Sequence, residues 1–371
     1  MGPARTIIGG MADPDREAPG QRPGALVLSL DFELAWGVFD TLGQDGPYRR
    51  NLLGAREAIP RILDLFDAFE VSATWAIVGF LFAESREELE AYSPELRPSY
   101  RNPRLNPYRI AIGDGERDDP LHFAPSLVRT IAAAHRQEIG SHTFSHYYCL
   151  EAGQDVHAFE ADLQAAVAIA RARGVDLRSL VLPRHQFRAD YLPAVDRTGF
   201  RTHRTNEANR WNRPNVTGGD TASTRSVRLL DSYLPVSGPN DVPWSSTVPD
   251  RHGLVDVRES RFLRPANARL RALEPLRVQR LIGAMRHAAR TGRIFHLWWH
   301  PHNFGAHPEA NLANLRTLLE AFARLRDDEG MTSMSMADVD AVARASAPSA
   351  TRGSHRHGTT TAVASRGNTT A

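Results

Sequence analysis

The chain has 371 residues, 42% of them hydrophobic, which is enough to build the core of one large α/β domain. A formal net charge of +2 does not provide the strongly basic surface expected of a nucleic-acid-binding protein. The single cysteine, Cys149, rules out a disulfide within the chain and suits a reducing compartment.

Residues 1–23 are rich in Pro, Gly and charge, and we expect them to be disordered. They contain no apolar signal-peptide core. No stretch of the sequence reaches the length of about 18 apolar residues that a membrane helix needs. We therefore expect a cytoplasmic protein with no membrane span and no nucleic-acid partner.

An apolar run at residues 25–31 predicts a buried strand, and two carboxylates, Asp31 and Glu33, lie at its end. Because side chains alternate along a strand, residues at i and i+2 lie on the same face. Two neighbouring buried carboxylates are costly unless a metal ion, a shared proton or a catalytic role compensates them. The alternative is structural, with one acid capping the next helix and the other pairing with an arginine.

Strands and helices alternate through the rest of the chain. The pattern predicts further strands at 71–78, 138–142, 180–183, 200–203, 227–234, 293–300 and 332–336. It predicts helices at 56–69, 127–135, 156–173, 191–197, 264–290, 311–326 and 337–345. Residues 84–120 and 205–226 are interpreted as insertions or long loops, and 346–371 as a disordered tail.

This alternation is typical of a parallel sheet, either open or closed into a barrel. No GxGxxG or Walker A pattern follows the first strand, which argues against an open nucleotide-binding sheet. In a (β/α) barrel the active site lies at the carboxyl ends of the strands. The polar residues at predicted strand ends are Asp31, Glu33, His142, Arg184 and His300. We therefore expect one barrel domain over residues 24–345.

His142 and His146 have the i, i+4 spacing that places two histidines on one face of a helix, where both can bind one metal ion. Chance alone predicts about 0.6 such pairs among 15 histidines, and His296 with His300 is a second pair. Position adds weight, because we expect the first pair to begin a helix just after a strand end, at the face where the two acids emerge. Two imidazoles and one carboxylate are the ligands of many catalytic zinc sites. The alternative is that each histidine is a hydrogen-bonded core or surface group.

The late strand continues into a run of alternating histidines. His300 lies near its carboxyl end, where a histidine can act as a general acid. We interpret His296 as a core residue and His302 as a cap of the following loop. Arg184, after another strand, can orient a catalytic carboxylate, although such an arginine is more often part of a surface ion pair.

These segments together resemble the polysaccharide deacetylases with a NodB homology domain, carbohydrate esterase family 4. The resemblance covers roughly residues 25–345. Within the family, the sequence is similar to members associated with surface-polysaccharide biosynthesis. It rests on Ser29-Leu30-Asp31-Phe32-Glu33, His142-Thr143-Phe144-Ser145-His146 and Leu297-Trp298-Trp299-His300, with Pro183-Arg184 and Asp231-Ser232-Tyr233 as looser matches.

The resemblance implies a distorted (β/α) barrel of seven to eight units that removes acetyl groups from sugars with a divalent metal ion. Zn²⁺ is the expected ion, with Co²⁺ or Ni²⁺ as alternatives. The metal ligands it implies are Glu33, His142 and His146. The implied catalytic residues are Asp31 as base, Arg184 as its brace and His300 as acid. Because the family more often has two adjacent aspartates, the division of roles between Asp31 and Glu33 stays open.

The expected reaction is hydrolysis of an N- or O-linked acetyl group. A cytoplasmic enzyme would meet an acetylated sugar as a nucleotide-sugar or a lipid-linked glycan. Two other functions stay open. One is a carbon–nitrogen hydrolase acting on a non-sugar amide, and the other is an inactive glycan-binding barrel in a polysaccharide-biosynthesis complex. Neither the sugar nor the oligomeric state follows from the sequence.

Overall fold

The computed structural model describes residues 22–43, 46–207, 216 and 221–346. Most of the two segments predicted to be disordered, 1–23 and 346–371, lies outside the described residues. So does the middle of the predicted loop at 205–226.

The described residues form one parallel sheet in the order β6-β5-β4-β3-β2-β1-β8-β7, with β9 also paired to β1. The strands are β1 (Ala25–Phe32), β2 (Ala73–Ile77), β3 (Gln137–Ser141), β4 (Ser179–Val181), β5 (Thr202–Arg204), β6 (Val255–Asp256), β7 (Arg261–Phe262), β8 (Ile294–Trp299) and β9 (Thr332–Met334). Strand β8 pairs along one side of β1, and β9 and then β2 pair along the other. Every residue of β1 is buried, which explains its continuous apolar sequence.

The segment that contains β6 and β7 closes the sheet into a barrel. On one side, the backbone N–H groups of Val257 and Glu259 donate to carbonyls of the chain at and just after β5, at 2.9 and 3.0 Å. On the other side, the N–H groups of Ser260 and Leu263 donate to carbonyls of β8, each at 2.8 Å. The two short strands thus act as one interrupted strand between β5 and β8. This confirms the predicted distorted (β/α) barrel.

Helices connect the strands. They are α1 (Arg49–Ala68), α2 (Arg86–Tyr92), α3 (Pro125–Ala133), α4 (Val156–Ala172), α5 (Leu192–Arg197), α6 (Ala222–Asp231), α7 (Glu274–Thr291), α8 (Pro308–Glu329) and α9 (Met336–Ser346). Among the described residues, none of these helices has the length and apolar character needed to cross a membrane.

The strand predicted at 227–234 is wrong, because most of this stretch belongs to α6. Thr221 caps that helix by accepting a hydrogen bond from the Thr224 N–H at 3.2 Å. A short apolar run does not distinguish a strand from a helix by periodicity alone. The cap upstream of the run decides between the two.

Residues 84–120, predicted to be an insertion or loop, contain α2 and two single turns of 3-10 helix. This segment packs against the main body, since Leu89, Tyr100 and Leu105 are buried. The Tyr100 hydroxyl accepts a hydrogen bond from the Tyr148 N–H at 2.8 Å. The segment therefore supports the loop that follows β3.

Candidate active site

Asp31 and Glu33 lie at the carboxyl end of β1, and only 2% and 4% of their surfaces are exposed. The chain turns directly afterwards, with Leu34 in the left-handed region at φ 46°. Gly37 then passes so close to Glu33 that a methyl group at this position would overlap the Glu33 carboxylate. The glycine therefore leaves the space in which the carboxylate lies.

His142 and His146 come together from a loop, so the predicted helix at this pair is wrong. Thr143 and His146 have φ values of 62° and 59°, which place both in the left-handed region. His142 Nδ1 lies 2.9 Å from the Val181 carbonyl, and His146 Nδ1 lies 3.2 Å from the Tyr148 hydroxyl. With each Nδ1 atom held by such a hydrogen-bond partner, both Nε2 atoms face Glu33. Metal-binding histidines are commonly oriented by a hydrogen bond at the other ring nitrogen in this way.

Asp162 on α4 holds this loop in place. Its carboxylate accepts hydrogen bonds from the N–H groups of Phe144 at 2.7 Å and Ser145 at 3.1 Å, and another from the Ser145 hydroxyl. Burial raises the pKa of Asp162 to about 7, although these hydrogen bonds act in the opposite direction. Sequence reasoning missed this residue. Its signal was an acid on the apolar face of an amphipathic helix.

The side chains of Glu33, His142 and His146 fit a divalent metal ion. Glu33 Oε2 lies 3.2 Å from His142 Nε2 and 3.0 Å from His146 Nε2, and all three ligand atoms lie within 4.8 Å of one another. Zinc bonds of about 2.0–2.2 Å place tetrahedral ligands roughly 3.3–3.5 Å apart. The two separations that involve Glu33 are near this value, and the three buried donors match the ligand set of a catalytic zinc site.

Arg204, the last residue of β5, is the partner of Asp31. Its guanidinium donates to Asp31 Oδ1 at 2.8 Å and to Oδ2 at 2.7 Å, and also to the Ser29 hydroxyl at 2.8 Å. The Trp298 ring lies 4.5 Å from the guanidinium carbon. This geometry is the strong bidentate form of an arginine–carboxylate pair.

Arg184, which the sequence prediction named as the brace of Asp31, is directed elsewhere. Its guanidinium donates to Asp40 and lies 4.7 Å from the centre of the Tyr148 ring. Arg184 has a left-handed backbone, φ 53°, in the turn after β4. The assignment of Arg184 as the brace is therefore corrected to Arg204, which also stands at a strand end.

Glu259 lies behind Arg204. Its Oε2 is 3.7 Å from Arg204 Nε and 3.3 Å from His185 Nδ1. Burial raises the pKa of Glu259 well above its usual range, despite the opposing charge of Arg204. A neutral Glu259 would not compete with Asp31 for the electrostatic interaction with the positive charge of Arg204.

His300 follows β8 and faces both acids. Its Nε2 lies 3.4 Å from Glu33 Oε1 and 4.0 Å from Asp31 Oδ2, while its Nδ1 lies 3.3 Å from Asn303 Oδ1. Its side chain is 23% exposed, which leaves this edge of the site open. His302, predicted to cap a loop, instead stacks on His300 with ring centres 4.9 Å apart.

His296 is a core residue, as predicted. It is fully buried, with Nε2 2.8 Å from the Ser29 hydroxyl and Nδ1 3.0 Å from the Val257 carbonyl. Both ring nitrogens are thus used inside the barrel, beneath the site rather than in it.

The two acids remain ionised for different reasons. Burial alone would raise the pKa of Asp31, but the charge of Arg204 outweighs it and the pKa falls to about 2. Burial likewise opposes ionisation of Glu33, yet His300 and the hydrogen bonds from the two loop imidazoles hold its pKa well below the usual range. Burial lowers the pKa of His146, which favours the neutral imidazole that a metal ion needs.

Residues 43–203 match the family profile of the polysaccharide deacetylases. The resemblance to this family is confirmed. The match includes both loop histidines, whereas the two acids of β1 and His300 lie outside it. A search of curated proteins found no match.

Solved structures share the fold at low identity. A polysaccharide deacetylase homologue from Mycobacterium smegmatis is 15% identical over 89% of this chain and 93% of its own, with a TM-score of 0.56. PuuE allantoinase is 14% identical over 94% of this chain and 99% of its own, with a TM-score of 0.52. At these identities the likeness establishes the fold alone.

Proposed function

We propose that this protein is a metal-dependent deacetylase that hydrolyses an acetyl group on a sugar. The observation that carries the proposal is the convergence of Glu33, His142 and His146, with Asp31 and His300 beside them. In this assignment Glu33 is the ligand, because it contacts both imidazoles, and Asp31 is the base, because both of its oxygens bind Arg204 instead. A divalent ion held by the three ligands would supply Lewis acidity and an acidified water.

The side chains supply proton transfer and positioning. Asp31, ionised at every pH above its low pKa, accepts a hydrogen bond from the attacking water and then its proton. Arg204 keeps that carboxylate oriented through both oxygens. His300, on the open side of the site, donates a proton to the departing sugar nitrogen or oxygen. The acid and the base lie 4.0 Å apart, close enough for both to contact one small reacting group.

The substrate class follows from the family resemblance. An acetylated sugar, as a nucleotide-sugar or lipid-linked glycan in the cytoplasm, is the substrate we propose. Zn²⁺ is the proposed ion. The fold shared with PuuE allantoinase supports one second candidate, a carbon–nitrogen hydrolase acting on a ureide-like amide.

Acetate release from a panel of UDP-N-acetyl sugars, lipid-linked glycans and O-acetylated sugars tests the proposal. The metal content of the same samples is measured in parallel. We expect the zinc-loaded protein to release acetate and His142→Asn to lose both the ion and the activity. His157→Asn is the matched control, because His157 is exposed on α4. Ureide hydrolysis without acetate release would favour the second candidate, and a protein that binds no ion would favour an inactive glycan-binding barrel.

A further inference from the structure

The two oxygens of Glu33 face different histidines. Oε2 lies 3.2 Å from His142 Nε2 and 3.0 Å from His146 Nε2. Oε1 lies 3.4 Å from His300 Nε2. The ligand atoms of Glu33, His300 and His302 also lie within 4.8 Å of one another. One carboxylate is therefore shared by two groups, each of which contains two imidazoles.

His300 and His302 resemble metal ligands more than core histidines. His300 Nδ1 contacts Asn303 Oδ1 at 3.3 Å, which turns Nε2 toward Glu33, as hydrogen-bond partners do for metal-binding histidines. His302 is 3% exposed, and its ligand nitrogen lies within 4.8 Å of the ligand atoms of Glu33 and His300. Neutral imidazoles and a carboxylate are donors that a divalent cation such as Zn²⁺ accepts, so these three side chains form a suitable ligand set.

We propose that Glu33, His300 and His302 form a second divalent-cation position, which shares Glu33 with the first and inhibits the enzyme when it is filled. The second ion binds more weakly, because the first already interacts with Glu33 and Arg204 compensates the charge of Asp31. Its entry is from the open edge, where His300 is partly exposed.

Inhibition follows from the identity of the ligands and rests on the proposed function, in which His300 is the general acid. A ring nitrogen that binds a cation cannot carry a proton at the same time. Filling the second position would therefore remove the acid without disturbing Asp31 or its contact with Arg204. Excess Zn²⁺ is expected to slow the reaction that one equivalent of Zn²⁺ supports.

Counting bound zinc tests the second position without any substrate. The full-length protein is stripped with a chelator, titrated with Zn²⁺ alone and analysed by equilibrium dialysis with elemental analysis. We expect two equivalents in the wild type, a tight one and a weaker one. His302→Phe, which keeps a ring against Tyr48, should weaken the second ion by at least about tenfold and leave the first. His142→Asn should lose the tight ion. His302→Asn is a second variant in case the phenylalanine disturbs folding, which circular dichroism would report.

Activity provides the second arm, as the ratio of rates at excess and at one equivalent of Zn²⁺ within each variant. In the wild type we expect the rate at excess Zn²⁺ to be lower than the rate at one equivalent by about tenfold or more. In His302→Phe we expect the two rates to be nearly equal. A wild type that binds one equivalent, lost in His142→Asn and unchanged in His302→Phe, would overturn the second position and leave the proposed function standing. A wild type that binds none would overturn both. A single ion that is lost only in His302→Phe would overturn two proposals together. These are the sharing of Glu33 by two cation positions and the assignment of Glu33, His142 and His146 as the ligands of the first ion.

Discussion

Arg204 binds both oxygens of Asp31 across the mouth of the barrel, from the end of β5 to the end of β1, at 2.8 and 2.7 Å. Both side chains are buried, so neither charge is compensated by solvent. The pair is therefore both a structural contact and the means by which the proposed base stays ionised.

Removal of Arg204 should destabilise the protein as well as inactivate it. Arg204→Gln leaves the Asp31 carboxylate buried without its cation, which typically costs about 3–5 kcal/mol. Urea unfolding measures this change. Arg178→Gln is the control, because Arg178 is exposed and pairs with an exposed Asp176, and we expect it to change stability by less than about 0.5 kcal/mol.

Arg184→Gln keeps the Asp31–Arg204 pair and should reduce kcat/KM less than Arg204→Gln. The reverse order would restore Arg184 as the brace.

Gly37→Ala should weaken metal binding. The added methyl would overlap the Glu33 carboxylate, and the flexible Glu33 side chain would move away from the two loop histidines. Isothermal titration with Zn²⁺ should show an affinity at least about tenfold lower. Gly283→Ala is the matched control, because nothing lies within 4 Å of the added carbon in α7. That variant should bind zinc normally and gain about 0.5–1 kcal/mol of stability. Equal zinc affinity in both variants would show that Gly37 does not define the position of Glu33.

Asp162→Ala should disorganise the histidine loop. The variant leaves the buried N–H groups of Phe144 and Ser145 without an acceptor, at a cost of about 2–5 kcal/mol in total. Zinc affinity should fall together with stability, since the loop carries both imidazoles. Asp162→Asn retains one carbonyl acceptor and should lose less. Asp64→Ala, at an exposed position of α1, serves as the control. Loss of stability with unchanged zinc affinity would separate the loop contacts from the metal site.

Zinc should stabilise the folded protein. An ion that binds only the native state adds about 2.7 kcal/mol to the free energy of unfolding at a concentration one hundred times its Kd. Urea unfolding with Zn²⁺ and with a chelator measures the difference. At a zinc concentration that fills only the tight position, we expect the difference to be abolished in His142→Asn and kept in His157→Asn. A stabilisation that persists without His142 would mean that the ion binds elsewhere.

The sequence by itself determined the features that depend on residues close together in the chain, namely the strands, the helices and the polar residues at strand ends. The apolar run of β1 and the alternation of strands and helices predicted a barrel, and the placement of Asp31, Glu33 and His300 at strand ends followed from that. Each of these inferences depends on residues close in sequence, and on the rule that parallel strands bring their carboxyl ends to one edge.

Only the tertiary structure decided which side chains meet. Arg184 and Arg204 both stand after or at the end of a strand, and the choice between them depends on how the β6–β7 segment closes the barrel and on the left-handed turn at Arg184. The loop conformation of His142 and His146 depends on Asp162, an acid from another element. The approach of His302 to Glu33 joins residues that are far apart in sequence. Such contacts are set by packing and by hydrogen bonds between distant segments, so a single sequence, read locally, does not contain a pattern that reports them.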